Sequence, residues 1–276
     1  MPTLQKRRAH ILKWVLPAVV LLLIAAFALA QIEPEPNISN STTTSGSGSG
    51  LIPNPFKAED FTYDEKGFMT CLAAESWLGI DVSYYQKSIR WQEVADSGVQ
   101  FAMIRLGNRT VREGVVCLDS RWEEYYQGAT AAGLKVGAYF YSQAISAEEA
   151  RQEALFVLEV LKGRALDMPV VFDWEIFDEN GRTANVDRQT LTECAIAFCE
   201  TISEAGYQPM IYFNLDWATR LWDLEQMQSL GYPFWLALYR QSISWPYRVQ
   251  MWQYTASGSV PGIDTKVDLN LFFRYE

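Results

Sequence analysis

From Trp77 onward, short apolar runs alternate with longer stretches in which apolar residues recur every three or four positions. That alternation constrains the fold more than any other feature of the sequence. The candidate strands are 78–83 (LGIDVS), 99–106 (VQFAMIRL), 134–141 (LKVGAYFY), 168–175 (MPVVFDWE), 207–214 (YQPMIYFN), 233–239 (PFWLALY), 248–254 (RVQMWQY) and 266–270 (KVDLN). Helical patterns fall around 89–97, 119–132, 146–162 and 188–205, with Asp119 and Ser146 placed as N-caps and Gly133 and Gly206 as C-terminal stops. Strands separated by helices pair in parallel through right-handed crossovers, and eight strands are the number that closes a barrel. The last three strands are joined by linkers too short for full crossover helices. The expected α/β fold is therefore a barrel, regular for its first five units and irregular afterwards. A doubly wound open sheet is the alternative.

Upstream, the sequence divides by composition. Residues 1–13 form a basic tail carrying Lys6, Arg7, Arg8 and Lys13. Residues 14–30 (WVLPAVVLLLIAAFALA) are apolar and uncharged, and Glu33 and Glu35 come next. The charge bias keeps the N-terminus in the cytoplasm and exports the rest of the chain. Two readings remain: a transmembrane signal-anchor, favoured by the length of the run, or a signal peptide cut after Ala30 at the Ala28-Leu29-Ala30 pattern. The protein is thus expected on the extracellular face of the membrane, or secreted. Residues 31–55 read as a flexible Ser/Thr/Gly linker, and 56–276 as the folded domain. Within it, 56–76 form a hairpin extension turning at Asp64 to Gly67, and 77–276 form the barrel.

Composition excludes several classes of chemistry. The first thirty residues hold four of the 23 bases and no acid, which leaves 19 bases against 33 acids and a formal charge of −14 for the rest. Such a domain repels phosphate backbones, so nucleic acid is not an expected partner, and the membrane is met only through the N-terminal segment. A monomer is expected. The single histidine, His10, lies in the basic tail. Histidine-dependent nucleophilic schemes and nearly every catalytic zinc site are thereby removed, and neither a metal nor a cofactor is expected. Acid–base work falls to Asp, Glu, Tyr, Lys or Cys. Cys71, Cys117, Cys194 and Cys199 show no CxxC spacing. Buried free thiols are the favoured reading, with Cys71–Cys117 the pair to bridge if any does.

Four acids stand at or just past the C-terminal ends of expected strands, where parallel barrels collect catalytic groups: Asp81, Asp173, Glu175 and Asp268. Residues two apart on a strand share a face, so Asp173 and Glu175 both point to the barrel mouth while Trp174 points to the helical layer. Like charges held together retain a proton, giving an acid beside a carboxylate, as cleavage of a glycosidic bond requires. The alternative is that bases such as Arg105 neutralise both. Tyr139, Tyr212 and Trp235 fall where a groove would lie and suit a sugar, although for each taken singly core packing is the favoured reading.

The run GIDVSYYQKSIRWQEVADSGVQFAMIRLGNRT, followed in order by AAGLKVGAYFYSQAIS, PVVFDWE, GYQPMIYFN, FWLALY, MWQYTASGSVPGI and VDLN, resembles glycoside hydrolase family 25 over residues 77–276. The resemblance implies a modified TIM-type barrel, (β/α)5β3, five β/α units completed by three strands. It implies a muramidase that hydrolyses the β-1,4 bond between N-acetylmuramic acid and N-acetylglucosamine, with peptidoglycan strands as partner. By position, Glu175 matches the general acid and Asp173 the carboxylate that orients the substrate's N-acetyl group. Asp81 and Asp268 match supporting acids, and Tyr139 and Tyr212 groove tyrosines. Phe140 departs from the family, where histidine is frequent, and altered substrate contacts are expected there. Two other readings stand beside this one: a catalytically silent glycan-binding module, and a barrel phosphodiesterase with an oxygen-ligand metal site.

Overall fold

The structure is a computed structural model and describes residues 50–275. A hairpin of β1 (Phe61–Tyr63) and β2 (Met69–Cys71) precedes the barrel. The barrel strands are β3 (Ser76–Val82), β4 (Phe101–Arg109), β6 (Lys135–Ser142), β7 (Val170–Trp174), β8 (Pro209–Asn214), β9 (Phe234–Ala237), β10 (Met251–Gly258) and β11 (Val267–Phe273), and a short β5 (Val116–Leu118) pairs with the end of β4. The helices are α1 (Trp91–Asp96), α2 (Trp122–Ala131), α3 (Ala147–Leu161), α4 (Arg188–Glu204), α5 (Leu215–Arg220) and α6 (Leu224–Ser229). β3 bonds to both β4 and β11, so the sheet closes and the open-sheet alternative is excluded.

Strands β3 through β10 of the barrel run parallel, whereas β11 is antiparallel to both β10 and β3. Residues 259–266 are too few to carry the chain back for another parallel strand, so it returns as a hairpin. Each expected strand and each of the four expected helices is present. Ser146 caps α3 by accepting from the Glu149 N–H, and Gly133 and Gly206 follow α2 and α4 at φ 78° and 86°, the left-handed conformation that ends helices. Asp119 is not the N-cap of α2; Arg121 holds that position, and Asp119 is used elsewhere. α5 and α6 had no counterpart in the sequence pattern.

Inside the barrel, Phe101, Met103, Met168, Val171, Met210, Trp235 and Met251 fill the floor. A larger apolar layer lies between sheet and helices. Gly79 is required by this packing, because a Cβ there would sit 2.2 Å from the Phe101 ring. The outer faces of β10 and β11 carry Trp252 and Phe273 and have no crossover helix over them. The hairpin extension takes that place: the Phe61 ring meets Trp252 at 5.0 Å, edge-on, and Phe56 meets Phe273 at 4.6 Å. The chain is ordered further upstream than the linker assignment of 31–55 implied. Leu51 is buried, the Ile52 N–H donates to Gln228 Oε1 at 3.0 Å, and Pro53 forms a bridge with Tyr247.

The basic tail, the apolar run 14–30 and most of the linker lie outside the described residues. Among those described, no helix is long and apolar enough to cross a membrane. All four cysteines are free thiols, with Cys194 and Cys199 buried and Cys71 and Cys117 half-buried. The Cys71–Cys117 bridge is not formed. Cys71 lines a cavity with Leu78 and Gln100 near the N-terminal ends of β3 and β4, while Cys117 pairs with Asn108 at the other end of β4. Cα atoms more than about 7 Å apart cannot be bridged without backbone movement.

Candidate active site

The four acids converge at the barrel mouth, delivered by three strands. Asp173 lies in β7, and Glu175 immediately follows that strand's last residue, Trp174. The Trp174 side chain points outward as expected, fully buried, its indole donating to the Ala144 carbonyl at 2.9 Å. Asp81 is the penultimate residue of β3. Asp268 arrives differently from the sequence expectation. It stands at the start of β11, not its C-terminal end, and reaches the rim because β11 is antiparallel, which sets it directly opposite Asp81.

Asp81 is held most tightly. Its Oδ2 accepts from Gln253 Nε2 at 2.9 Å and Asn270 Nδ2 at 2.8 Å. Each donor is anchored in turn. Asn270 Oδ1 accepts from the Trp235 indole N–H at 2.9 Å, and Gln253 Oε1 accepts from the hydroxyls of Tyr239 at 3.0 Å and Tyr212 at 3.3 Å. Charged acceptors of this kind make the stronger hydrogen bonds. Asp173, by contrast, has a buried Oδ1 without a partner.

Burial raises the proton affinity of the whole cluster. Desolvation lifts Asp81 to about 6 against its two donors, and lifts Glu175 to about 7 with help from the Asp81 charge. Asp173 and Asp268 are pushed well above the usual carboxylate range, first by burial and then by their neighbours' charges. The Glu175 charge is the largest of the neighbouring charges that raise Asp173. The pair therefore holds a proton at neutral pH. Arg105 does not neutralise it by direct pairing. Its Nε is bonded to Asp119 Oδ2 at 2.8 Å, and its guanidinium lies 4.9 Å from the Tyr84 ring centroid. It reaches Asp173 only as a nearby positive charge.

The expected aromatic residues divide. Tyr139 is half-buried and faces Trp235 edge-on, and Tyr212 packs against the same indole at 5.0 Å. Trp235 itself is 2% exposed with its N–H committed to Asn270, so it supports the site from below and presents no face to a ligand. Exposed aromatics that follow the barrel strands are ones that the sequence pattern did not single out: Tyr84 and Tyr85 after β3, Phe177 after Glu175, and Tyr239 after β9. Gln253 and Asn270 were missed as well. Alternation could have found both, since Gln253 shares a face with the inward Met251, and Asn270 with Asp268.

The sequence profile of glycosyl hydrolases family 25 matches residues 80–263, which contain three of the four clustered acids. The chain belongs to this family. Among its curated relatives, the autolytic lysozyme of Clostridium acetobutylicum is 27% identical over 70% of this chain and 55% of its own length. The chain thus spans little more than half of that protein. Lysozyme M1 of Streptomyces globisporus is 27% identical over 70% of this chain and 67% of its own. YegX of Escherichia coli K12, uncharacterised, is 30% identical over 70% of this chain and 68% of its own. Among solved structures, the bacterial lysozyme of Streptomyces coelicolor superposes with a TM-score of 0.60 at 26% identity, covering 72% of this chain and 92% of that one. The modular autolysin LytC of Streptococcus pneumoniae, solved with a synthetic peptidoglycan ligand, shares the fold at a TM-score of 0.64 and 22% identity, covering 77% and 50%. In this family 25 barrel the position expected to carry histidine, Phe140, points away from the mouth. It is fully buried against Phe156 of α3, a packing role that explains an apolar residue there.

Proposed function

We propose that the chain hydrolyses the β-1,4 bond between N-acetylmuramic acid and N-acetylglucosamine in peptidoglycan, with Glu175 as general acid and Asp173 assisting. The observation that carries this reading is the convergence of Asp173 and Glu175 with Asp81 and Asp268 at one end of the barrel, where burial raises Glu175 to about 7 beside a second carboxyl. A glycosidic oxygen leaves only when protonated, so the acid must keep its proton at the working pH. Glu175 delivers that proton as the C1–O bond breaks. The N-acetyl carbonyl oxygen of the muramic acid residue then closes on C1, and Asp173, whose buried Oδ1 has no partner within the protein, orients the group through its amide N–H and stabilises the positive charge it acquires. Water then attacks C1 as Glu175 takes its proton, the bond from C1 to the acetyl oxygen breaks to restore the N-acetyl group, and the acid is back in its starting state. Asp81, fixed by Gln253 and Asn270, supplies negative charge behind the pair.

The relatives support the substrate class, because their names are those of lysozymes and autolysins. The place of action rests on the N-terminal sequence. We place the barrel outside the membrane, tethered by residues 14–30 or released after Ala30. Replacing Glu175 by Gln keeps the shape and removes the proton. The variant should fold and lose lysis of purified peptidoglycan by at least about a hundredfold, in the range for removal of a general acid. Retention of a large part of the activity would reassign the acid. Tight glycan binding by the wild-type protein with no reducing ends released would favour the silent binding module.

A further inference from the structure

Glu175 is anchored in an unusual way. Ladder pairing of β7 ends at Asp173 on the β8 side and Trp174 on the β6 side, so the acid stands one residue past the last rung. Its backbone carbonyl is instead taken by side chains. Gln143 Nε2 donates to the Glu175 carbonyl at 2.6 Å, and Thr183 Oγ1 lies 3.4 Å from the same oxygen and 3.3 Å from Gln143 Oε1. Gln143 Nε2 also donates to the Ser142 carbonyl at 3.0 Å. Both residues are fully buried, and their contacts to Glu175 are with its backbone, not its carboxyl. Thr183 comes from the long connection between β7 and α4, which leaves the barrel directly after Glu175.

That connection is pinned from behind by a second set of contacts. Arg182 Nη2 bonds Glu149 Oε1 at 2.6 Å, and the Glu149 carbonyl accepts from Arg109 Nη2 at 2.9 Å. Arg109 Nε pairs with Glu153 Oε1 at 2.6 Å, and Glu153 Oε2 accepts from the Ser142 hydroxyl at 2.6 Å. The path runs from Glu175 through the connection to α3 and back to the end of β6. Side chains thereby do for the acid what a strand neighbour does for Asp173.

We propose that Gln143 and Thr183 are positioning residues for Glu175. Together they fix the acid's backbone so that its carboxyl meets Asp173 and the glycosidic oxygen. This inference rests on the muramidase reading above. It requires the hydroxyl of Thr183 and the amide of Gln143, not merely their volume. A misplacement of about 1 Å at a reacting group costs on the order of a hundredfold in rate.

The test compares Thr183→Val, Thr183→Ser and Gln143→Leu with wild type on purified peptidoglycan and a soluble glycan fragment. Thr201→Val, which removes a buried hydroxyl from α4 far from the mouth, is the control. We expect kcat to fall roughly 10- to 100-fold in Thr183→Val and Gln143→Leu. KM should change far less than kcat, the alkaline limb of the pH profile should move, and Thr183→Ser should recover most of the rate. Thr201→Val should keep wild-type kcat. If Thr183→Val and Gln143→Leu lower the melting temperature but leave kcat and the pH profile of the folded fraction at wild-type values, the two residues are structural only and the inference falls. Should Gln143→Leu fail to fold, the Thr183 pair decides alone. A wild-type protein that releases no product overturns the function instead, so the two failures are distinct.

Discussion

Truncating Phe61 to Ala tests whether the hairpin extension is part of the barrel or an appendage to it. Phe61 is 9% exposed and packs against Trp252 at 5.0 Å, Phe56 at 5.6 Å and Phe273 at 6.2 Å. A buried aromatic ring removes about 150–250 Å² from water, which at about 25 cal/mol per Å² is worth about 4–6 kcal/mol. Alanine retains part of that area, and measured truncations of this kind cost about 3–5 kcal/mol. For a domain of this size each kcal/mol lowers the melting temperature by about 2–4 °C, so a loss of about 10 °C is expected. Differential scanning calorimetry should show one transition, shifted as a whole, for the variant as for the wild type. An unchanged main transition, with or without a small separate one for the hairpin, would refute the claim that the hairpin stands in for the missing crossover helices.

The acid cluster makes a pH prediction of definite sign. Glu175 titrates at about 7 in the folded protein against its ordinary value of 4.5, so the native state binds more protons than the unfolded chain between those values. Stability should therefore fall as pH rises from about 4.5 to about 7. Glu175→Gln should be more stable than wild type at about pH 7.5 by up to about 3 kcal/mol and no more stable at about pH 4, a difference read by denaturant titration. If Glu175 is the general acid as proposed, the same titration removes its catalytic proton, so kcat/KM should decline on an alkaline limb centred near about pH 7. A limb about two units higher would break the link. At the barrel floor, Gly79→Ala places a methyl group 2.2 Å from the Phe101 ring and should cost about 1–3 kcal/mol in chemical denaturation. A neutral result would mean that the floor can repack.

Much of the fold was legible in the sequence. Periodicity gave every barrel strand and helices α1 to α4; α2 to α4 are long enough to repeat their apolar spacing, and α1, at six residues, was read within the longer pattern 89–97. α5 and α6 span six residues each, too few for a clear helical repeat, and betray themselves only by their caps, Asn214 and Asp223. The direction of β11 was not legible: neither the β9–β10 nor the β10–β11 linker carries a helix, yet the first joins parallel strands and the second a hairpin, and only that hairpin places Asp268 at the start of its strand. The acid quartet was visible as chemistry at strand ends. Of its supporting residues, Gln253 and Asn270 were within reach of strand alternation, whereas Gln143 and Thr183 are ordinary as residue types and acquire meaning only from what they touch. Trp235 shows the converse, a residue whose type suggests sugar stacking and whose burial assigns it to the floor.

If the paired carboxyls at the end of β7 cut a muramic acid linkage, the products report on it most directly. Defined peptidoglycan digested with the protein and resolved by mass spectrometry should yield fragments ending in reducing N-acetylmuramic acid, and none should appear with Glu175→Gln. Fragments ending in reducing N-acetylglucosamine, or free stem peptides from intact glycan, would contradict the assignment.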